Sequence, residues 1–197
     1  MSCKVEEFLT TEEKIFLKLY KEMYGENYNI HDTNKTDGIR TTHIKGQKAI
    51  FPFSQYGVPV GDYYFEWADH GPHSESLRLL MHDLDQRVET GVIEKFYNSD
   101  EYETLFSVFQ EGKIKTALKK LTMFVNKKVD NNLSDEQIIH NAEIISSFIY
   151  LSKVLFRSEG FREINEELAK RKKWTKGEES IEKIWKSLAE IKMVPDF

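Results

Sequence analysis

The chain contains a single cysteine, Cys3, so no disulfide can close within it, and a reducing cytoplasm is its expected compartment. Cys3 stands two residues after the initiator methionine, where chain ends fray, and a reactive thiol needs a built electropositive setting. No apolar run reaches membrane-spanning length. The longest, from about Ile144 to Phe156, is broken by Ser146, Ser147, Ser152 and Lys153, which marks a buried soluble helix. The opening residues carry neither the basic start nor the apolar stretch of a secretory signal. A formal net charge of -5 argues against a generally basic surface of the kind that holds nucleic acid. A nucleophile, metal or phosphate-binding signature is also missing, as are internal repeats and low-complexity tracts.

What is present is enough apolar material for one substantial core. With 197 residues and 40% hydrophobic content, the chain reads as a single domain, 1–197, with a helix plus small-sheet half (1–98) and a helical half (99–197). Thr10-Thr-Glu-Glu13 has capping-box spacing and predicts a helix to about Tyr24, with Phe16, Leu19, Tyr20 and Met23 on its core face and Gly25 ending it. Glu26 to Gly38 is polar and without period, and reads as a loop. From Arg40 a second helix is expected, capped by Thr41 or Thr42 and kinked or ended by Pro52. Gly57-Val-Pro-Val-Gly61 reads as a turn. Asp62 to Trp67 alternates like a half-buried strand, with Tyr63, Phe65 and Trp67 on one face and Tyr64 and Glu66 on the other.

Gly71-Pro72 stops that strand, and Ser74 can cap a helix whose core stripe is Leu77, Leu80, Met81, Leu84 and Val88. Gly91 ends it, and Val92 to Tyr97 reads as a strand returning to the small sheet. Helices only are expected beyond Ser99: Glu101 to Gln110, Lys113 to about Lys128, and a long central one from Ser134-Asp-Glu-Gln137 to about Ser158. Phe161 to about Lys173 and a last helix capped from Thr175, with Ile181, Ile184, Trp185, Leu188 and Ile191 on its apolar face, complete the chain. The fold class is therefore mainly α (α+β), a compact helical domain with a small antiparallel sheet or hairpin and a winged-helix-like N-terminal half.

These residues resemble the YwgA-like proteins and their relatives in the Panacea (SocA-like antitoxin) group. Arg40 to Phe51 is similar to the family's helix with an Arg-Thr start and a Gln-Lys pair before apolar residues. Phe65 to Ser74 is similar to its strand followed by Gly-Pro-aromatic-Ser, with His73 in the aromatic's place. Leu77 to Ile93 looks like its Leu-rich helix ending in Gly, and Leu168-Ala-Lys-Arg-Lys-Lys-Trp-Thr175 like its ending. The likeness runs from about residue 40 to residue 191; Pro52 interrupts a helix that reads through in the family. It implies a mostly helical domain found among antitoxins and other interaction proteins of microbes and their mobile elements, with no settled catalytic activity.

Three functions compete for the same residues. The favoured one is a protein-interaction module, antitoxin-like or regulatory, that binds a partner protein, in the antitoxin case a co-encoded toxin. Its expected contacts are Tyr64, Asp69, His70, Gly71, Pro72, His73 and Arg78, at the rim of the hairpin and the helix entry. Next is nucleic-acid binding by a winged-helix-like arrangement, with Lys170, Arg171, Lys172 and Lys173 on phosphates and Trp174 stacking on a base, although flanking glutamates damp that field. Third is an enzyme using Asp69, His70 and His73. Asp69, His70, His73, His82, Asp83 and Asp85 hold metal-ligand chemistry, but His82 falls about 140° from the Leu77 and Leu84 stripe and faces solvent. Ser74 reads as a cap rather than a nucleophile, and Asp62, Glu66, Asp83 and Asp85 as surface charge. No cofactor, metal or membrane contact is expected.

Overall fold

The structure, a computed structural model, describes residues 8–29, 35–36, 39–105, 111–126, 134–157, 159–172 and 178–196. Helix α1 (Thr11–Tyr24) starts on the expected capping box. The Glu13 amide donates to Thr10 Oγ1 at 3.2 Å and the Thr10 amide to Glu13 Oε2 at 2.6 Å, so two amides that the helix itself cannot satisfy are paired. Gly25, at φ 73°, closes it. Within the stretch expected to be a loop, β1 (Lys35–Thr36) pairs antiparallel with β2 (Ile39–Arg40).

Helix α2 (Thr41–Ser54) follows at once. Its N-cap is Arg40, which makes no side-chain capping bond, so neither Thr41 nor Thr42 has the capping role expected of it. Pro52 does not terminate the helix, which runs on to Ser54. It sits in the last turn, where its missing amide costs one backbone bond, and the burial of Phe51 and Phe53 carries the helix past it. After a turn at 55–57 the chain runs to Phe65 without a ladder partner, held by turn bonds from the Val60 amide to the Val58 carbonyl and from the Tyr63 amide to the Gly61 carbonyl. Only β3 (Glu66–Ala68) and β4 (Gly71–His73) form a ladder, with Glu66 opposite His73, Trp67 opposite Pro72 and Ala68 opposite Gly71. The strand expected from Asp62 is thus shorter and later, although the alternation it was read from holds at Phe65, which is buried, and Tyr64, which is exposed.

Helix α3 (Glu75–Arg87) is capped by Ser74, whose Oγ accepts from the Leu77 amide. It buries Leu77, Met81 and Leu84 as the stripe requires, with Leu80 and Val88 packed at its edges. After a 3-10 turn, Val88–Thr90, and Gly91 at φ 73°, the segment read as a returning strand is instead α4 (Val92–Tyr97). Ile93, Phe96 and Tyr97 are buried together at helical spacing, and six residues are too few for periodicity to tell the two states apart. Among the described residues the strands of this half are therefore the β3–β4 hairpin and the separate β1–β2 pair.

Beyond it stand α5 (Asp100–Thr104), α6 (Glu111–Asn126), α7 (Asp135–Tyr150), α8 (Phe161–Lys172) and α9 (Glu178–Glu190). Residues 106–110 and the Thr175 cap lie outside the described residues. The central helix starts on the Ser134 and Gln137 capping box, but its α-helical part ends at Tyr150 and widens into a π-helical turn, Leu151–Leu155. Helices α2 and α7 pack against each other, α1 lies across α2 and α6, the β3–β4 hairpin sits on both α2 and α7, and α8 and α9 cover α7. No helix among the described residues is long and apolar enough to cross a membrane. Leu84 is fully buried on the α3 stripe, so Leu84→Ala is expected to destabilise the fold by about 2–5 kcal/mol in urea unfolding, because the site loses transfer energy and keeps part of a cavity.

Candidate functional site

The residues expected to make contacts gather on the β3–β4 hairpin, and the structure shows what holds that hairpin still. Lys48 on α2 donates its ammonium to the Pro72 carbonyl at 2.8 Å. Beside it, Gln47 brackets Ser74: its Nε2 donates to the Ser74 carbonyl at 2.8 Å and its Oε1 accepts from the Ser74 amide at 2.9 Å. His70 Nδ1 meets Glu143 Oε1 on α7 at 2.7 Å, and Lys172 at the end of α8 donates to the Asp69 carbonyl. Gly71 lies at φ +84°, and a Cβ there would stand 2.7 Å from Ser147 Oγ, so this turn tolerates glycine alone on two counts. Three helices thus reach a hairpin too short to be stable by itself.

Electrostatics at this junction is dominated by burial. Lys48 is only 2% exposed, and loss of water brings its amine down to about 7, with Glu143 opposing that drop and Lys172 adding to it. His73, half-buried and close to Lys48, is also lowered, first by burial and then by that lysine. Lys172 is lowered by burial while Glu143 and Asp69 pull it back up.

Outward, the same segment shows a mixed aromatic and basic face. Tyr64 is 82% exposed. Trp67 is half-buried, with its ring 5.8 Å from Tyr150 and the Arg171 guanidinium 5.0 Å above it. Burial raises the Tyr150 phenol, and so do Tyr64 and Glu66 beside it. Arg78 forks onto Glu75 at 2.8 and 2.6 Å at the start of α3.

Of the seven contact residues expected from sequence, the structure places Tyr64, Asp69 and Arg78 outward and His70 and His73 at intermediate depth. Gly71 and Pro72 are buried against α7 and α2 and do not belong to the rim, because β4 is the inner strand of the pair. His70 turns to Glu143 rather than to Asp69 or Ser74, so no Ser-His-Asp arrangement forms, and Ser74 caps α3.

Among the described residues no three of His, Cys, Asp and Glu converge as a metal site, and His82 is exposed beside Gln86. Asp85 is not plain surface charge. It accepts from Tyr28 Oη at 2.8 Å and Arg40 Nη1 at 2.9 Å, and lies 3.0 Å from His43 Nε2. In the basic stretch, Lys170 is exposed, Arg171 binds Glu167 at 2.6 Å and Lys172 is engaged with the hairpin, while Lys173 and Trp174 lie outside the described residues.

Sequence reading missed Lys48, Gln47 and Glu143. Their signal was a charged or amide side chain inside an otherwise apolar run, which a buried partner must answer. No protein-family model matches the chain, and no curated protein or solved structure gives a significant match to it.

The lowered lysine makes stability depend on pH in a definite direction. Unfolded, Lys48 titrates near the ordinary lysine value of 10.5; folded, at about 7. Between those values the unfolded chain carries a proton that the folded one does not, so stability rises with pH from about 7 towards 10.5. Lys153 and Lys172 add to this in the same sense, and the raised tyrosines oppose it only above about pH 10. Urea midpoints are expected to climb between pH 7 and about 9.5, and Lys48→Met is expected to remove most of that slope. Equal slopes for the two proteins would mean that the amine is not desolvated.

Proposed function

We propose that the chain is a protein-interaction module, antitoxin-like or regulatory, which holds a partner protein on the outer face of the β3–β4 hairpin and the entry of α3. The observation that carries this reading is preorganisation. Tyr64 stands in water while the hairpin behind it is tied to α2, α7 and α8 by Lys48, Gln47, Glu143 and Lys172. Binding costs side-chain and loop ordering, and a face already rigid loses little of that energy when a partner docks.

Composition supports the same reading. Trp67, Tyr64 and Arg171 are the residue types that dominate binding energy at protein interfaces; here Arg171 lies over Trp67, and both Trp67 and Tyr64 neighbour Tyr150. The resemblance to the YwgA-like and Panacea group agrees with it. Tyr64 would anchor in a pocket of the partner, Asp69, His73 and Arg78 would line the rim, and His70, Gly71 and Pro72 would set the shape behind. On this reading the protein works in the cytoplasm by masking or steering its partner, by binding rather than by catalysis, and a co-encoded toxin is the partner to try first. Arg171 and Lys172, engaged with Glu167 and the hairpin, are less free to track a phosphate backbone than their spacing alone implied.

Co-expression with the products of adjacent genes tests this directly. A stoichiometric complex is expected, and Tyr64→Ala is expected to weaken it at least tenfold, by analogy with truncated interface anchors. Because Tyr64 is 82% exposed, the same change is expected to leave the unfolding midpoint within about 0.5 kcal/mol of the parent. Recovery of chaperones alone, or a complex indifferent to Tyr64→Ala, would count against this surface.

A further inference from the structure

We propose that the cavity between α1, α2 and α4 is a binding site for a neutral, hydroxyl-rich ring compound of nucleoside size. Its volume is about 620 Å³, inside the range of small-molecule sites. It lies along α2 from the hairpin, so nothing in the partner-binding reading uses it.

The floor is buried and built from Tyr20, Tyr28, Thr41, Thr42, Lys45 and Tyr97. Its polar atoms are braced against one another. Tyr97 Oη accepts from the Tyr28 amide at 3.0 Å and donates to the Leu17 carbonyl at 3.4 Å, Tyr28 Oη donates to Asp85 at 2.8 Å, and Thr42 Oγ1 reaches the Asn29 carbonyl at 3.4 Å. A wall fixed in this way does not collapse into the space it encloses. The rim is different in character: Glu26, Asn27, Asn29 and Glu94 are exposed.

Charge decides what kind of molecule fits. Lys45 Nζ lies 2.9 Å from Glu26 Oε1, so those two cancel, and Glu94 contributes one negative charge. The start of α2, with no acidic residue in its first turn, returns about half a positive charge at Thr41 and Thr42. Burial holds the phenols of Tyr20, Tyr28 and Tyr97 protonated. The site is close to neutral or slightly negative, which repels polyphosphates. Carboxylates at a rim accept from paired hydroxyls, and asparagine amides offer the adjacent donor and acceptor that a heterocycle edge presents. Val88 and Ile93 add apolar surface beside tyrosines that pack edge-to-face, Tyr20 on Tyr28 with centroids 5.3 Å apart. A neutral ring compound with paired hydroxyls suits apolar walls under a rim of carboxylates and amides, and a nucleoside is the probe of that class.

Isothermal titration of the full chain with adenosine, uridine and ATP tests the site. Saturable binding of at least one nucleoside, tighter than ATP, is expected. Glu94→Ala, at an exposed position, is expected to weaken that binding about tenfold with the melting temperature unchanged, and Thr42→Val to weaken it by a similar factor. No saturable binding of either nucleoside overturns the proposal; so does tighter binding of ATP, or affinity unaffected by Glu94→Ala and Thr42→Val.

Discussion

A lysine amine removed from water sets the architecture of this protein. Lys48 lies on a helix packed nearly all round, and its amine donates to the carbonyl of Pro72 on β4. A buried donor without an acceptor would cost a few kcal/mol, so the hairpin cannot leave α2 without exposing that loss. Gln47, one residue earlier, pairs with both backbone groups of Ser74, the residue that caps α3. One turn of one helix therefore positions the hairpin, the start of the next helix and the face between them. The turn of the hairpin, at Asp69 and His70, is held by Lys172 and Glu143, which carry the same constraint to α8 and α7.

Helix α2 also links the hairpin to the cavity. Its first residues, Thr41 and Thr42, and then Lys45 line the cavity, and Lys48 reaches the hairpin one turn further on. Gly46 between them lets α3 approach closely, since a Cβ there would stand 2.3 Å from Met81 Sδ and 3.1 Å from the Phe16 ring. Arg40, just before α2, is drawn to Asp85 on α3 together with His43 and Tyr28, which braces the same end of the helix from outside. The two surfaces given functional readings thus lie at successive turns along one face of a single element, since Thr41, Lys45 and Lys48 recur at helical spacing, and each has its own polar supports.

Much of this fold was legible in sequence where local chemistry decides local structure. The capping boxes at Thr10 and Ser134, the left-handed Gly25 and Gly91, and the α3 stripe at Leu77, Met81 and Leu84 all appear where spacing placed them. Readings failed where tertiary packing overrode a short pattern. Val92 to Tyr97 has the composition of a strand, but the burial of Ile93, Phe96 and Tyr97 on one side makes a helix. The strand read from Asp62 kept its alternation and lost its ladder, because its partner strand spans only Gly71–His73. At the site, exposed residues such as Tyr64 could be named in advance, while Lys48, Gln47 and Glu143 could not. Their role rests on partners 24, 27 and 73 residues away, a separation at which periodicity carries no information. The cavity was hidden for the same reason, since its lining comes from four separate stretches of chain.

Native-state hydrogen exchange across residues 66–74 is the most direct measurement of whether Lys48 holds the hairpin. In Lys48→Met, protection of the β3–β4 amides and of Ser74 is expected to fall towards that of an exposed loop, while α1, α6 and α9 keep theirs. Unchanged protection in the hairpin, or a uniform loss over the whole chain, would contradict the claim that this buried amine is what fixes the hairpin in place.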